Sequence, residues 1–224
     1  MEKAIFCWSS GKDSAMALYE MMKGGSYEVE CLLTTVTEGY DRVSMHGVRR
    51  ELVEAQAAAL GLPLEKIFIS QKSSDSEYDM KMRRFLETKA ARGIRHVAFG
   101  DIFLEDLKKY RMEKLSRVNM AGLFPLWKRD TAELAGTFIS LGFRAVVTCV
   151  DTKVLDKSFA GRMYDEAFLA DLPEGIDPCG ENGEFHSFCH DGPIFSAPIR
   201  FAEGESVLRD NRFQYRDVRL VSSP

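Results

Sequence analysis

The chain has 224 residues, 45% of them apolar, and a formal net charge of −4. That length fits one large domain or one domain with a smaller companion, and the apolar share is that of a globular protein with a sizeable core. A mildly acidic chain offers no bulk attraction for nucleic acid. The opening apolar run is too short to cross a membrane and lacks the flank and cleavage pattern of a signal peptide, so the chain reads as cytoplasmic.

Strand and helix patterns alternate through the first half. Residues 3–8 predict a strand, and Ser9-Ser10-Gly11-Lys12-Asp13-Ser14 follows as a loop of small hydroxyl residues around a glycine. Residues 13–23 predict a helix, 28–36 a buried strand, 47–60 a helix stopped by Gly61-Leu62-Pro63, and 67–69 a short strand. Residues 78–93 predict a charged amphipathic helix, 97–101 a strand running into a loop, and 103–117 another helix. Such alternation predicts an α/β fold, a parallel sheet with helices on both faces. Ligands in these sheets bind beyond the carboxyl ends of the strands, which selects 9–14, 34–37 and Gly100-Asp101 as site segments.

The second half changes character. Residues 123–127 are a short apolar run, 131–141 predict a helix and 145–150 a strand. After Leu172 the chain is rich in Gly, Pro and Asp, then returns to short strand-like runs. This predicts a smaller mixed α+β region, with residues 1–124 as the first domain and 125–224 as the second.

The loop at 9–14 has the makings of an anion cradle. The first N–H groups of a helix have no partner inside it, and the helix dipole adds partial positive charge there. Ser9, Ser10, Lys12 and Ser14 bring further donors, and Gly11 lets the backbone come close. Neither GxxxxGK[ST] nor GxGxxG is present, so a plain serine-capped turn is the competing reading. The place of the loop, at the first strand-to-helix turn of an α/β chain, favours phosphate.

A second cluster, Asp177-Pro178-Cys179-Gly180-Glu181-Asn182-Gly183-Glu184-Phe185-His186, is dense in turn formers and carboxylates. Glu181 and Glu184 can meet a cationic or metal-bound ligand there; the alternative is a turn carrying solvated acids. His46 is a candidate phosphate contact or proton carrier, or else a helix cap or surface residue. Cys179, His186, Cys189 and His190 have no common zinc spacing, and His186 and His190 should share one strand face with Cys189 on the other. No metal ligands are assigned. The five cysteines are odd in number and form no CxxC pair, so reduced thiols are expected.

Ser10-Gly11-Lys12-Asp13-Ser14 after a first strand resembles the PP-loop of N-type ATP pyrophosphatases. Ser44-Met45-His46-Gly47-Val48, Gly100-Asp101-Ile102 leading to Arg111-Met112-Glu113, and the 180–186 and 191–193 segments narrow the resemblance to the diphthine–ammonia ligase family. Archaeal and eukaryotic members carry Gly-Glu-Gly-Gly-Glu-Phe-Glu-Thr where this chain has Gly-Glu-Asn-Gly-Glu-Phe-His-Ser, so the likeness is to the bacterial-type version. The resemblance implies a HUP-type nucleotide-binding domain and an ATP-dependent ligase. It would adenylylate a carboxylate, release pyrophosphate and form an amide with ammonia, with Mg²⁺ accompanying the ATP.

On this resemblance, Ser9, Ser10, Gly11, Lys12, Asp13 and Ser14 hold the outer phosphates, with Lys12, Asp13 and Ser14 also catalytic. Thr34, Thr35 and Val36 line adenine and ribose, and Gly100 and Asp101 lie near ribose or α-phosphate. Glu181 and Glu184 are catalytic, while His46, Arg111, Glu113, Asn182, Gly183 and His186 face the acceptor acid. By its charge pattern alone the stretch around Arg111 and Glu113 reads as a solvated helix face. The partners implied are ATP, ammonia and an unidentified carboxylate, free or carried on a protein, with no membrane and no strong nucleic-acid signal; a homodimer is compatible. The competing functions are a PP-loop enzyme modifying tRNA or a metabolite, and a non-catalytic adenine-nucleotide-binding regulator.

Overall fold

The computed structural model describes residues 1–44, 46–71 and 74–221; Met45 of the 44–48 segment lies outside them. β1 (Glu2–Cys7) leads into α1 (Lys12–Gly24). β2 (Tyr27–Thr37) is followed by the stub β3 (Arg42–Val43), α2 (Arg50–Leu60) and β4 (Leu64–Ile69). Then come α3 (Asp75–Ala91), β5 (His96–Ala98), α4 (Glu105–Ser116) and β6 (Ala121–Leu123). β1 pairs with β2 and β5, β2 with β4, and β5 with β6, all parallel; only β3 is antiparallel, on the end of β2.

β1 is buried on both sides, and its alternation sorts the core. Ala4, Phe6 and Trp8 pack with α1 and α2 on one face, while Ile5 packs with Leu33, Ile67, Leu86, Val97 and Leu115 on the other. From β1 the chain builds outward to β2 and β4, then returns to the opposite side of β1 with β5. That reversal is a topological switch point, and it opens a crevice between the carboxyl ends of β1 and β5.

The second half contains α5 (Thr131–Ser140), β7 (Arg144–Asp151), the short α6 (Glu166–Ala170), β8 (Phe185–Asp191), β9 (Phe201–Arg209) and β10 (Phe213–Leu220). Its strands form an antiparallel sheet in the order β8-β7-β10-β9. Asp210 and Asn211, both at positive φ (52° and 48°), turn β9 into β10 as a tight hairpin. One continuous apolar core runs from Phe6 and Trp8 through Leu18, Leu52 and Val53 to Val146, Val147, Phe168 and Phe188. The second sheet is therefore packed onto the α1–α2 face of the first.

Two expected elements are trimmed. The helix expected over 47–60 starts at Arg50, because Arg49 is extended at φ −64°, ψ 142°. The strand expected over 97–101 ends at Ala98, and the chain then leaves the sheet after Phe99 N–H donates to the Leu123 carbonyl at 2.9 Å. That early exit carries Gly100 and Asp101 over the start of α1.

Candidate functional site

After β1, Trp8 stays tied to the sheet through its N–H to the Leu33 carbonyl (2.8 Å). Ser10 then takes the left-handed conformation at φ 72° and is fully buried. Gly11 caps α1, its carbonyl accepting from Ala15 N–H at 3.1 Å. The serines close the loop on itself: Ser9 and Ser14 hydroxyls lie 2.7 Å apart, and Gly11 N–H donates to Ser9 Oγ at 3.3 Å. Lys12 N–H donates to Ser187 Oγ on β8 at 3.2 Å. These long bonds to hydroxyls are weak and exchangeable for bonds to an anion.

Gly100 forms the facing side. A Cβ there would lie 3.0 Å from Ser14 N and 3.1 Å from the Asp13 carbonyl, both backbone, so a side chain at this position would push the β5 loop back from the first turn of α1. Gly11 is similarly crowded, with the Ser187 carbonyl 3.2 Å from where a Cβ would stand. The candidate anion cradle is thus closed in by three segments: 9–14, 100–103 and β8.

Lys12 is not a surface lysine. Its side chain is buried, and its ammonium donates to both Asp13 carboxylate oxygens at 2.8 Å and to the Cys179 carbonyl. It also lies over the rings of Tyr164 (5.5 Å) and Phe185 (5.3 Å). Burial works against its charge, but Asp13 more than offsets that, and the net effect raises its pKa.

The 177–187 segment forms the second wall. Asp177 holds its turn, with its Oδ2 accepting Glu181 N–H at 2.7 Å and its carbonyl accepting Gly180 N–H at 2.8 Å. Glu184 is buried and turned into this loop: Oε1 accepts from Asp177 N–H (3.2 Å) and Asn182 Nδ2 (3.0 Å), and Oε2 has no partner. Glu181 reaches across to the first half, its Oε1 accepting Ile102 N–H at 2.7 Å. Burial pushes the Glu181 carboxyl up to about 7, against the pull of the Ile102 bond. The two glutamates therefore differ: one faces the cavity and one braces the loop behind it.

Between the walls lies a cavity of about 860 Å³. Ser9, Gly11, Lys12, Asp13, Ser14, Thr34, Thr35, His46, Gly100, Asp101, Arg111, Glu181, Asn182, Gly183 and His186 line it. Four expected residues stand elsewhere. Ser10, Val36 and Glu184 are buried away from it, and Glu113 is exposed on α4. Arg111 leaves the solvated face that its charge pattern suggests: it grips Asp101 with two bonds (2.6 and 3.1 Å) and stacks 4.2 Å over Phe99. His46 and His186 sit with ring centroids 4.5 Å apart, and His46 Nδ1 is buried without a partner. Burial lowers His186 to about 4 and holds His46 well below its usual value, so both imidazoles are neutral.

His190 lies apart, packed on Phe201 at 5.0 Å. Among the described residues no group of three or more His, Cys, Asp or Glu side chains is placed to hold a metal by itself. Asp13, Asp101 and Glu181 nonetheless line the same cavity, which fits an ion that takes one or two carboxylates together with phosphate oxygens. The five cysteines are free, and burial drives the cavity-lining Cys7 thiol up to about 12, which leaves it unreactive.

Sequence reasoning missed Gln56 and Ser187, and it placed Asp177 in the turn-rich cluster without giving it a part of its own. Gln56 had a readable signal: it is a polar residue one helical turn after Leu52, on the buried stripe of α2.

The profile of the diphthamide synthase N-terminal domain matches residues 2–123, and that of the diphthamide synthase C-terminal domain matches residues 130–219. Among similar proteins, diphthine–ammonia ligase of Danio rerio is 28% identical over 91% of this chain and 88% of its own length. The Homo sapiens protein of that name is 26% identical over 89% and 83%. The one from Schizosaccharomyces pombe is 25% identical over 92% of this chain and 37% of its own length. The two profile matches fall on the two halves that wall the cavity, and the chain belongs to the diphthamide synthase family.

Proposed function

We propose that the chain is an ATP-dependent, amide-forming ligase whose first domain (1–124) binds ATP and whose second (125–224) supplies the acceptor wall. The observation that supports this best is the convergence of the α1 N-terminus, Gly100-Asp101 and Glu181 on one cavity at the switch point of the sheet. The relatives carry the name diphthine–ammonia ligase, which points to diphthine as the acceptor carboxylate and ammonia as the nucleophile.

A carboxylate does not accept an amine at neutral pH, because its oxygen is a poor leaving group. In our reading the acceptor oxygen attacks the α-phosphorus of ATP, and the bond to the β-phosphate oxygen breaks. Pyrophosphate leaves with that electron pair. The loop at 9–14 stabilises it with Ser9, Gly11, Lys12 and Ser14 donors already in place. Ser10 sets the loop's shape from behind. Thr34 and Thr35 face the nucleoside, with Val36 supporting them from the core, and Thr34 Oγ1 is buried without a partner. Asp13 and Asp101 are the groups that would hold Mg²⁺, which would supply charge neutralisation on the phosphates.

Ammonia nitrogen then bonds to the acyl carbon, AMP leaves, and the proton released goes to a base on the second wall. Glu181, titrating near neutrality, is that base. Neutral His46 and His186, with Asn182, Gly183 and the Arg111–Asp101 pair, face the acceptor. Glu184 acts by holding the loop that carries Glu181, and Glu113, exposed on α4 outside the cavity, has no part in the step. No helix among the described residues is long and apolar enough to cross a membrane.

The test is product analysis. The protein is incubated with ATP, Mg²⁺, ammonia and cell extract as the source of acceptor. AMP and pyrophosphate are expected; ADP and phosphate would overturn the reading.

A further inference from the structure

Gln56 is fully buried, and both polar atoms of its amide are hydrogen-bonded. Its Oε1 accepts from Trp8 Nε1 at 2.8 Å, while its Nε2 gives one hydrogen to the Ser10 carbonyl (3.0 Å) and one to the Cys189 carbonyl (2.6 Å). An indole N–H on one side and two carbonyls on the other leave only this orientation of the amide. The Ser10 carbonyl also accepts Cys189 N–H at 2.9 Å. One oxygen of the phosphate loop is thus held from outside the loop by α2 and by β8 of the second domain.

The peptide plane makes that hold consequential. In a trans peptide the C=O and the N–H point in opposite directions. With the Ser10 oxygen drawn into the core, Gly11 N–H is turned out toward Ser9 Oγ and the cavity. Ser10 is not glycine, yet sits at φ 72°, a conformation that persists only where its surroundings enforce it. We propose that Gln56 is the positioning residue of the phosphate loop: by holding the Ser10 carbonyl it fixes the direction of the Gly11 N–H donor, and through Cys189 it joins that setting to the second domain. The inference rests on the nucleotide reading above.

The experiment measures dissociation constants of ATP, inorganic pyrophosphate and adenosine by calorimetry for the wild type and for Q56M, which keeps the volume and removes the side-chain bonds to Trp8, Ser10 and Cys189. A lost peptide orientation should weaken pyrophosphate and ATP by about tenfold. Adenosine, which carries no phosphate, should change by less than about twofold. Equal losses for adenosine and ATP would make Gln56 merely structural and overturn the proposal, as would no loss for pyrophosphate. Should Q56M not fold, Q56E is read in the same way, since it keeps the shape and the Trp8 bond but sets an oxygen against two carbonyls. A wild type that binds neither ATP nor pyrophosphate would bring down the nucleotide reading itself, whereas wild-type binding with unchanged Q56M and Q56E removes the positioning role alone.

Discussion

On the wall formed by residues 9–14 and 100–103, the groups facing the cavity are backbone N–H, serine hydroxyls and glycine, together with the Lys12–Asp13 ion pair and Asp101, which Arg111 holds. On the wall formed by 177–187 they are a carboxylate, an amide and an imidazole, held by bonds that cross the molecule: Glu181 to Ile102, Ser187 to Lys12 and the Cys179 carbonyl to Lys12. The first wall suits an anion whose charge is fixed, because backbone dipoles neither titrate nor rotate away. The second suits a step in which a proton moves, because Glu181 titrates near neutrality. In our reading pyrophosphate release and amide formation divide between the walls on that difference, and the substitutions at the two walls separate the two steps.

The largest effect is expected on the first wall. D13A removes the carboxylate that neutralises buried Lys12, and S14A removes the hydroxyl that closes the loop onto Ser9. Each should cut pyrophosphate release by about 10³-fold while the thermal transition stays cooperative. Full turnover in both variants would take the loop out of the chemistry.

On the second wall, E181Q should lower amide formation by about 10²-fold and leave the dissociation constant of ATP within about threefold. Glu181 titrates up at about 7 rather than the usual 4.5, so the wild-type rate should climb as pH rises through 7, and E181Q should lose that limb. Stability carries the opposite sign. The folded state holds this proton more tightly than the unfolded chain, so wild-type stability falls between pH 4.5 and 7 relative to E181Q. Urea midpoints of the two proteins at pH 5 and pH 8 check this, and a pH-independent difference would remove Glu181 as the neutral-range group.

E184Q, one layer behind, should reduce product about tenfold without affecting nucleotide binding. Its amide keeps one oxygen for Asp177 and Asn182 but places a nitrogen where Oε2 lies buried. A steady-state comparison with E181Q tells brace from base: E184Q should retain the limb near pH 7. A lost limb would assign the proton to Glu184.

These expectations track what could be read from the chain. The first wall was legible because its chemistry is local: Ser9 to Ser14 sit side by side, and the strand and helix around them declare themselves by period. The parallel sheet followed from the same periodicity. Glu181 and Glu184 are three residues apart in one turn-rich loop, and no local pattern says that the first faces the cavity and the second turns inward; the partners that decide it are Ile102 and the loop's own Asp177 N–H. Arg111 reads as one more charge on a solvated helix until Asp101 and Phe99, brought over by the short β5, claim it. Conformation at Ser10 was equally hidden, since its positive φ is imposed by Gln56 and Cys189, far away in the chain.

The smallest effect on turnover is expected where the domains are joined away from the cavity. Asp217 on β10 accepts from Arg42 (2.8 Å) and Arg49 (2.8 Å) of the first half and from Arg219 (3.2 Å) beside it. Burial pushes its carboxyl up, but the three guanidinium groups outweigh that and hold it far below the usual carboxylate range. A depressed folded pKa means the contribution is present above the unfolded value of 3.8 and fades as pH falls below it. D217N should therefore cost about 2 kcal/mol in urea unfolding at pH 7, with the gap to wild type narrowing below pH 4. Turnover and nucleotide affinity should stay within about twofold, since none of these groups lines the cavity. A large loss of ATP affinity in D217N would instead mean that the seating of β10 against Arg42 and Arg49 governs the phosphate loop, and would move the coupling between the domains away from Cys189 and Gln56.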